Sequence, residues 1–333
     1  MINKHTLDRY SLFLGAEKVK QHSNDMSNSW VPYDTNSNLQ PGYRKNAFGF
    51  VQFEGVAKSG TINTTMFTLP DSHKPAYNHM FLTVSNSAAS RMTIGYDGQV
   101  IPTTGNNAYY SLQTMGFPTH IDGWSYPSFS NSWVNYGSGW ALASYFKDPF
   151  GIIHLQGLVK SGTVGAAIFT LPAGYRPEYE LVLPTYTDTG IGQIRITTAG
   201  VVTALNGGNG YFNLSGIHFI SATSALNTEW QDLTLQNSWV NHSASFAPPQ
   251  ILQTPLGEIF MRGLIKNGTA TGGTTLFTVP TWARSILRRI TPVMTNDAFG
   301  FINFENNGNA NVGGVSNTFV SLDSLQYLAT WLP

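Results

Sequence analysis

Apolar and polar residues alternate along one short stretch of this chain, and the same alternation returns twice more. The apolar positions of the three stretches are Val51, Phe53 and Ala57, then Ile153, Leu155 and Val159, then Ile259, Met261 and Ile265. The positions between them vary from copy to copy, as Gln52, His154 and Phe260 in one column and Glu54, Gln156 and Arg262 in the next. One constant apolar face and one variable face predict a half-exposed β-strand.

Glycine occurs at matching positions in each of the three copies. Gly55, Gly157 and Gly263 interrupt the alternating strand, which predicts a bulge or a close approach of another backbone segment. A second alternating segment leads in each copy to a dipeptide that ends in glycine, namely Asp97-Gly98, Ala199-Gly200 and Asn307-Gly308. Two of these dipeptides suit a type I′ hairpin turn.

The repetition also predicts the domain organisation. Asn-Ser-Trp-Val begins at Asn28, Asn131 and Asn237, at intervals of about 100 residues, which is the size of one small domain. Glycine and proline recur throughout, and long helical periodicity is missing. We therefore predict an all-β fold of three tandem antiparallel β-sandwich or jelly-roll modules, over residues 28–127, 128–233 and 234–333. Trp30, Trp133 and Trp239 occupy one fixed column, which predicts core anchors.

Residues 1–27 form a leader before the first copy. Leu7, Tyr10, Leu14 and Lys18 fall on one helical face behind Thr6 as a cap, which predicts a short helix. The apolar run from Leu12 to Leu14 is too brief for a signal peptide or a membrane span. We expect neither secretion by a standard signal nor membrane insertion.

The amino-acid composition limits the kinds of molecule that the protein is expected to bind. The 18 basic and 18 acidic residues cancel, so no net field attracts nucleic acid or an anionic membrane. Charged residues make up only 11% of the chain, so its surface is polar but largely uncharged. The chain has no cysteine, which excludes disulfides and thiolate metal sites.

The residues provide no catalytic constellation. The eight histidines have no metal-ligand spacing, and no nucleophile elbow, phosphate-binding loop or dinucleotide fingerprint occurs. Glu178 and Glu180 lie two apart, and a solvated strand edge explains them better than a glycosidase pair. We predict that the protein is not an enzyme and has no catalytic residues, no metal site and no cofactor.

The second copy resembles the β-rich modules of bacteriophage tail, baseplate and fibre proteins. The similarity lies in Asn131-Ser-Trp-Val, Gly139-Trp140, Phe150-Gly-Ile-Ile-His-Leu-Gln-Gly157 and Phe169-Thr-Leu-Pro-Ala-Gly-Tyr-Arg-Pro177. The resemblance implies a virion protein, often trimeric, that binds a host cell-surface saccharide. We expect residues 1–27 to be the element that docks onto other virion proteins. The first copy replaces the Gly-Tyr-Arg-Pro turn with Ser72-His73-Lys74-Pro75, and the third with Trp282-Ala283-Arg284-Ser285, so the surfaces of the copies differ.

A saccharide site would combine aromatic faces with neutral polar groups, and we expect its residues to vary between copies. The candidates on this criterion are Trp124, Tyr126, Trp140, Tyr186, Asp188 and Trp282. We predict a receptor-binding or fibre-like appendage that attaches a phage particle to host glycan. A structural decoration protein without a sugar site and a glycan depolymerase are the alternatives. The sequence leaves open whether the chain forms a homotrimer or a pseudo-trimer within one chain.

Overall fold

The computed structural model describes residues 20–21, 25–34, 40–46, 48–113, 116–119, 122–224, 226, 229–285 and 288–329. The predicted leader helix, with Leu7, Tyr10, Leu14 and Lys18, lies outside the described residues. In the part of the leader that is described, Lys20–Gln21 forms a short strand that pairs with Gly42 and Tyr43.

Strands account for the regular structure of all three sequence repeats. The first repeat, with its leader, contains β1 (Lys20–Gln21), β2 (Val31–Pro32), β3 (Gly42–Lys45), β4 (Phe50–Glu54), β5 (Val56–Lys58), β6 (Phe67–Thr68), β7 (His79–Ser85), β8 (Ala88–Ile94), β9 (Gln99–Pro102), β10 (Tyr110–Ser111) and β11 (Gly116–Pro118). The second contains β12 (Val134–Asn135), β13 (Ser144–Lys147), β14 (Ile152–Gln156), β15 (Leu158–Lys160), β16 (Ala167–Thr170), β17 (Leu181–Thr187), β18 (Gly190–Ile196), β19 (Val201–Asn206), β20 (Phe212–Asn213) and β21 (Ile217–Ile220). The third contains β22 (Gln231–Asp232), β23 (Val240–Asn241), β24 (Gln250–Gln253), β25 (Glu258–Arg262), β26 (Leu264–Lys266), β27 (Thr275–Thr278), β28 (Arg289–Thr295), β29 (Ala298–Phe304), β30 (Asn309–Gly313), β31 (Val320–Ser321) and β32 (Gln326–Leu328).

These strands pair antiparallel, and the described helices are two 3-10 turns, at Asp71–His73 and Thr281–Ala283. In the first repeat a seven-stranded sheet, β2-β5-β10-β7-β8-β9-β6, faces a four-stranded one, β1-β3-β4-β11. The second repeat has the same seven-stranded order and a three-stranded partner, β13-β14-β21. In the third repeat the strands form sheets β22-β24-β25-β32, β23-β26-β31 and β27-β30-β29-β28. The predicted all-β antiparallel fold class is confirmed.

Each repeat has a hydrophobic cluster that joins its sheets. In the second repeat Ile153 and Leu155 of one sheet meet Phe169 and Ile194 of the other. The other repeats have matching clusters, centred on Phe53 and Met92 and on Met261 and Ile302. The sheets therefore form sandwiches, while the module boundaries at residues 28, 128 and 234 stay predictions.

The three tryptophans of the repeated motif are buried in these clusters, as predicted. Each ring lies directly against a glycine of the same repeat. A methyl group added to Gly60, Gly162 or Gly268 would come within about 2 Å of the ring of Trp30, Trp133 or Trp239. These glycines end the turns at residues 58–60, 160–162 and 266–268. Each turn requires glycine because the indole occupies the space of a side chain.

The predicted close approach at the strand-breaking glycines is confirmed. Gly157 has a φ of 120°, and a methyl group there would lie 2.5 Å from the nitrogen of Ala143. The predicted type I′ turns at Asp97-Gly98 and Asn307-Gly308 are wrong, because only the glycine of each dipeptide has positive φ. Backbone Gly98 donates to the carbonyl of Gly95, and the glycine closes a longer turn. Positive φ at both central residues occurs instead at Asn86-Ser87 and Asn296-Asp297.

Equivalent strands of the three repeats meet one another. Strands β7, β17 and β28 are in pairwise contact, so the three repeats surround a common line within one chain. The variable face of β4, β14 and β25 is largely buried in this arrangement, which corrects the half-exposed strand expected from the sequence. Glu54, His154 and Phe260 all lie below 10% exposure because neighbouring repeats cover them.

Candidate functional site

An arginine and two tyrosines meet where the first repeat contacts the second. Arg91 on β8 places its guanidinium 5.9 Å from the ring centre of Tyr186 on β17, and 5.8 Å from that of Tyr211. Its Nη1 also donates a hydrogen bond of 2.9 Å to the hydroxyl of Tyr211. The Tyr186 hydroxyl lies 3.3 Å from Oγ1 of Thr104. Three polar tips therefore converge beside two aromatic rings.

The aromatic surface extends from Tyr211 to Trp140. The rings of Tyr211 and Tyr136 are edge-on with centres 6.4 Å apart, and Tyr136 meets Trp140 in the same way at 6.4 Å. Lys160 lies over Tyr136, with its Nζ 5.0 Å from the ring centre. All of these side chains are half-buried, so each keeps some surface available to a ligand.

Backbone hydrogen bonds between the repeats fix the position of Trp140. The Asn78 nitrogen donates to the Gly139 carbonyl at 2.9 Å, and the Ala141 nitrogen donates to the Asn78 carbonyl at 3.1 Å. A matching bridge joins Glu180 to Phe246 of the third repeat. The segment that carries Trp140 is therefore held at the contact between repeats rather than in a loose loop.

Asp188 occupies the hairpin tip between β17 and β18, next to Tyr211. Its nitrogen donates to the Tyr211 carbonyl at 3.3 Å, and its Oδ1 accepts from the Tyr211 nitrogen at 3.4 Å. A methyl group on Gly208 would come within 2.0 Å of the same carboxylate. The glycine run at 207–210 thus leaves room for Asp188, whose side chain stays exposed. We call Arg91, Tyr136, Trp140, Tyr186, Asp188 and Tyr211 the seam site.

Burial keeps the Tyr211 hydroxyl of this site neutral. Partial burial raises the pKa of Tyr211, and the neighbouring Arg91 opposes that rise. The hydroxyl therefore stays protonated at neutral pH and can both accept from Arg91 and donate to a ligand. The arrangement is suited to binding a polar molecule with a flat apolar face.

The structure brings together three of the six predicted residues, Trp140, Tyr186 and Asp188. Among the described residues, no ring contact or hydrogen bond connects the other three to the seam site. Trp124 packs on Phe146 at 5.7 Å, Tyr126 is 64% exposed, and Trp282 lies in a 3-10 turn of the third repeat at 36% exposure. Ligand contact by any of the six stays a prediction.

Sequence reasoning missed Arg91, Tyr136 and Tyr211. The two tyrosines have aromatic counterparts in the first repeat, Tyr33 and Tyr109. The criterion of variation between copies therefore does not select them. The useful signal is the variation between copies at the position of Arg91. Arg91 pairs with Leu82 across two strands, and the equivalent pairs in the other repeats are Pro184 with Gln193 and Pro292 with Phe301. The residues at that position are Arg91, Gln193 and Phe301, which change charge and size from copy to copy.

A second polar region lies at the centre of the molecule, between all three repeats. Arg289 Nη2 donates to both carboxylate oxygens of Glu54 at 2.9 Å, and Gln52 Nε2 donates to Glu258 Oε1 at 2.7 Å. Residues from all three repeats line a cavity of about 120 Å³ beside these groups. Because the charges pair with one another, we assign this centre to packing.

Nδ1 of His154 lies 2.8 Å from Nδ1 of His218 in the same cavity wall, so one ring donates and the other accepts. Burial and the neighbouring His154 lower the pKa of His218. Glu178 is 53% exposed, in agreement with the solvated edge expected for it, and pairs with Arg262. Glu180 is 14% exposed and pairs with Arg195. Each glutamate therefore has an arginine partner, and the two histidines are partners of each other.

The described residues lack two further kinds of feature. They contain no group of three or more histidine, aspartate or glutamate side chains arranged to hold a metal ion. They also contain no helix with the length and apolar character needed to cross a membrane.

Comparisons with known proteins give little further information. No protein-family model matches the chain, and no curated protein matches it. Among solved structures, the chain is similar to the receptor binding protein of Listeria phage PSA at 18% identity and a TM-score of 0.27. The match spans 31% of this chain and 66% of that one. A TM-score of this size does not establish a shared fold, and function has to be inferred from the residues of this chain.

Proposed function

We propose that this protein is a non-enzymatic virion component that attaches a phage particle to a saccharide of the host cell surface. The observation that supports this role is the seam site, where the rings of Trp140, Tyr136 and Tyr211 adjoin the polar tips of Arg91 and Tyr186. Sugar rings present C–H faces to aromatic rings and hydroxyls to such polar tips. The phage-like motifs of the second repeat support the assignment to a virion.

Attachment by such a site depends on several weak contacts acting together. A shallow, half-buried site of this kind binds a monosaccharide weakly, at roughly millimolar Kd. Several copies on one particle would raise the avidity by about 10² to 10⁴. The docking of the protein onto other virion proteins through residues 1–27, and its assembly as a homotrimer or as a single-chain pseudo-trimer, belong to the same proposal.

Competition for adsorption tests the attachment role. Purified protein should bind host cells and block adsorption of the phage, and Trp140→Ala should weaken cell binding by about five- to thirtyfold, as expected for 1 to 2 kcal/mol per site. Trp230→Ala is the matched control, because this half-buried tryptophan contacts Arg262 and belongs neither to the seam site nor to the six predicted residues. A melting curve of each variant verifies the fold.

The same experiment distinguishes the alternatives. A protein that neither binds cells nor competes, yet is needed for particles to assemble, would have a structural role instead. Release of soluble sugars from purified host wall would identify a depolymerase. Light scattering on the purified chain separates a trimer from a monomer.

A further inference from the structure

Arg91 is a half-buried arginine that has no acidic partner in the described part of the chain. Arg195, Arg262 and Arg288 each form an ion pair with a glutamate. Among the described residues, no carboxylate oxygen lies within 4.0 Å of Arg91, and its Nε is buried without a hydrogen-bond partner. Its one side-chain hydrogen bond is to the neutral hydroxyl of Tyr211. The guanidinium is therefore a half-buried cation with unused donors.

The aromatic rings compensate only part of the cost of removing this cation from water. Contacts between a guanidinium and the faces of Tyr186 and Tyr211 contribute about 0.5 to 2 kcal/mol each. A carboxylate or phosphate oxygen would pair with the planar fork of the guanidinium more strongly, through charge-assisted hydrogen bonds. Lys160 adds a second positive charge over Tyr136, and Asp188 is the one acid of the seam site.

The neighbouring hydroxyls can complete the binding of an anionic group. Oγ1 of Thr104 accepts a hydrogen bond from the backbone nitrogen of Arg91 at 3.0 Å and lies 3.3 Å from the Tyr186 hydroxyl. The Tyr211 hydroxyl is 2.9 Å from the Arg91 guanidinium. Asp188 hydrogen bonds to the backbone of Tyr211, and no ion pair joins it to Arg91. An anion next to Arg91 therefore has hydroxyl donors beside the guanidinium.

The other repeat contacts lack this combination. The position of Arg91 is taken by Gln193 in the second repeat and by Phe301 in the third. Between the second and third repeats, the surroundings of the equivalent strand position are apolar, with Val182, Leu264 and Met294 buried and Ile191, Phe246 and Phe319 packed against them. Met294 there stands where Tyr186 stands in the second repeat. Arg262 also lies over two aromatic rings, those of Tyr179 and Trp230, but it is paired with Glu178. Among the described residues, an arginine that contacts two aromatic rings without an acidic partner therefore occurs only at the seam site.

Resting on the proposed attachment function, we infer that the seam site binds one anionic saccharide per chain and that Arg91 holds its carboxylate or phosphate. The aromatic rings provide the affinity for the sugar, and Arg91 selects for charge. Neutral host glycans are then poor ligands, and binding weakens as salt is added because the ion pair is partly exposed.

The test uses the full chain and polysaccharide purified from the host wall. Binding is measured by calorimetry for the untreated polymer, for polymer treated to remove phosphate, and for polymer with its carboxyl groups reduced. One of the two treatments should lower affinity by ten- to a hundredfold, and this identifies the anion. Arg91→Gln should produce the same loss on untreated polymer, while Arg91→Lys retains part of the affinity. The calorimetric stoichiometry should be one saccharide binding unit of the polymer for each protein chain.

Arg288→Gln serves as the control, since Arg288 is an exposed arginine outside the seam site. Equal affinity of Arg91→Gln and the unaltered protein, with neither treatment reducing binding, would overturn the inference and leave glycan attachment intact. Two or three sites per chain would contradict the single-site conclusion. Absence of binding to every form of the polymer by a folded protein would reject glycan attachment itself, and this inference with it.

Discussion

The buried ion pair between Glu54 and Arg289 gives a quantitative test of how the first and third repeats are joined. The two side chains are 4% and 2% exposed, and both carboxylate oxygens lie 2.9 Å from Nη2 of the guanidinium. The same nitrogen donates to the Leu328 carbonyl at 3.0 Å, and Nε donates to Ser285 Oγ at 2.8 Å. Replacing Glu54 by glutamine keeps the shape of the side chain and removes only its charge.

The expected cost follows from the charges that remain. Arg44 and Arg289 are balanced at this centre by Glu54 and Glu258, and burial raises the pKa of Glu258 although Arg44 opposes the rise. Glu54→Gln leaves an excess buried positive charge between the repeats. Breaking one partner of a buried pair costs about 3 to 5 kcal/mol. This is a large part of the stability of a typical domain, about 5 to 15 kcal/mol.

Urea unfolding at pH 7 measures this effect. Glu54→Gln should lower the free energy of unfolding by about 3 to 5 kcal/mol, while the double variant Glu54→Met with Arg289→Met should regain most of the loss, because apolar pairs of similar size often replace buried ion pairs at little cost. Glu305→Gln is the control, since its pair with Arg288 is largely exposed and contributes under about 1 kcal/mol. A Glu54→Gln protein within 1 kcal/mol of the unaltered protein would refute the reasoning.

Two further changes test the core and the pH dependence. Burial lowers the pKa of His79 to about 3, so the unfolded chain takes up a proton first and stability falls as the pH drops from about 6.5 toward 3. Burial of neutral His79 should alone lower the free energy of unfolding by about 2 kcal/mol at pH 5 relative to pH 7. His79→Gln should therefore reduce the difference between the urea midpoints at pH 7 and pH 5. An unchanged difference would exclude this role. Gly162→Ala should destabilise the protein by at least about 2 kcal/mol in urea because the methyl group overlaps the Trp133 ring, whereas Gly272→Ala meets no neighbour within 4 Å and should be neutral. Equal midpoints for the two glycine variants would contradict the packing argument.

The sequence predicted those features that depend on local pattern. Alternation at Val51 and Phe53, seen again in two further copies, was sufficient for the strands, and the fixed tryptophan column was sufficient for the cores. The burial of Glu54 could not be predicted, because it depends on how repeats pack against each other. A variable column next to an apolar one has the same pattern whether water or a neighbouring repeat covers it.

The seam site was predicted only in part for a similar reason. Variation between copies selected Trp140, Tyr186 and Asp188, which the fold brings together. Arg91 lies 49 residues before Trp140 and 95 residues before Tyr186 along the chain, and its position over Tyr186 follows from the arrangement of the repeats. No spacing rule connects residues so distant in sequence, so the cation of the site became evident only in three dimensions.

The ion pair that joins the first and third repeats also bears on how the protein is made. Glu54 and Arg289 are 235 residues apart, so at roughly 5 to 20 residues per second the ribosome needs about 10 to 50 seconds to deliver the arginine after the glutamate. During that interval the nascent amino-terminal repeat exposes a carboxylate beside apolar side chains that the finished molecule covers. Synthesis of the strand that carries Arg289, rather than formation of the first sandwich, therefore sets the earliest moment at which the native centre can assemble.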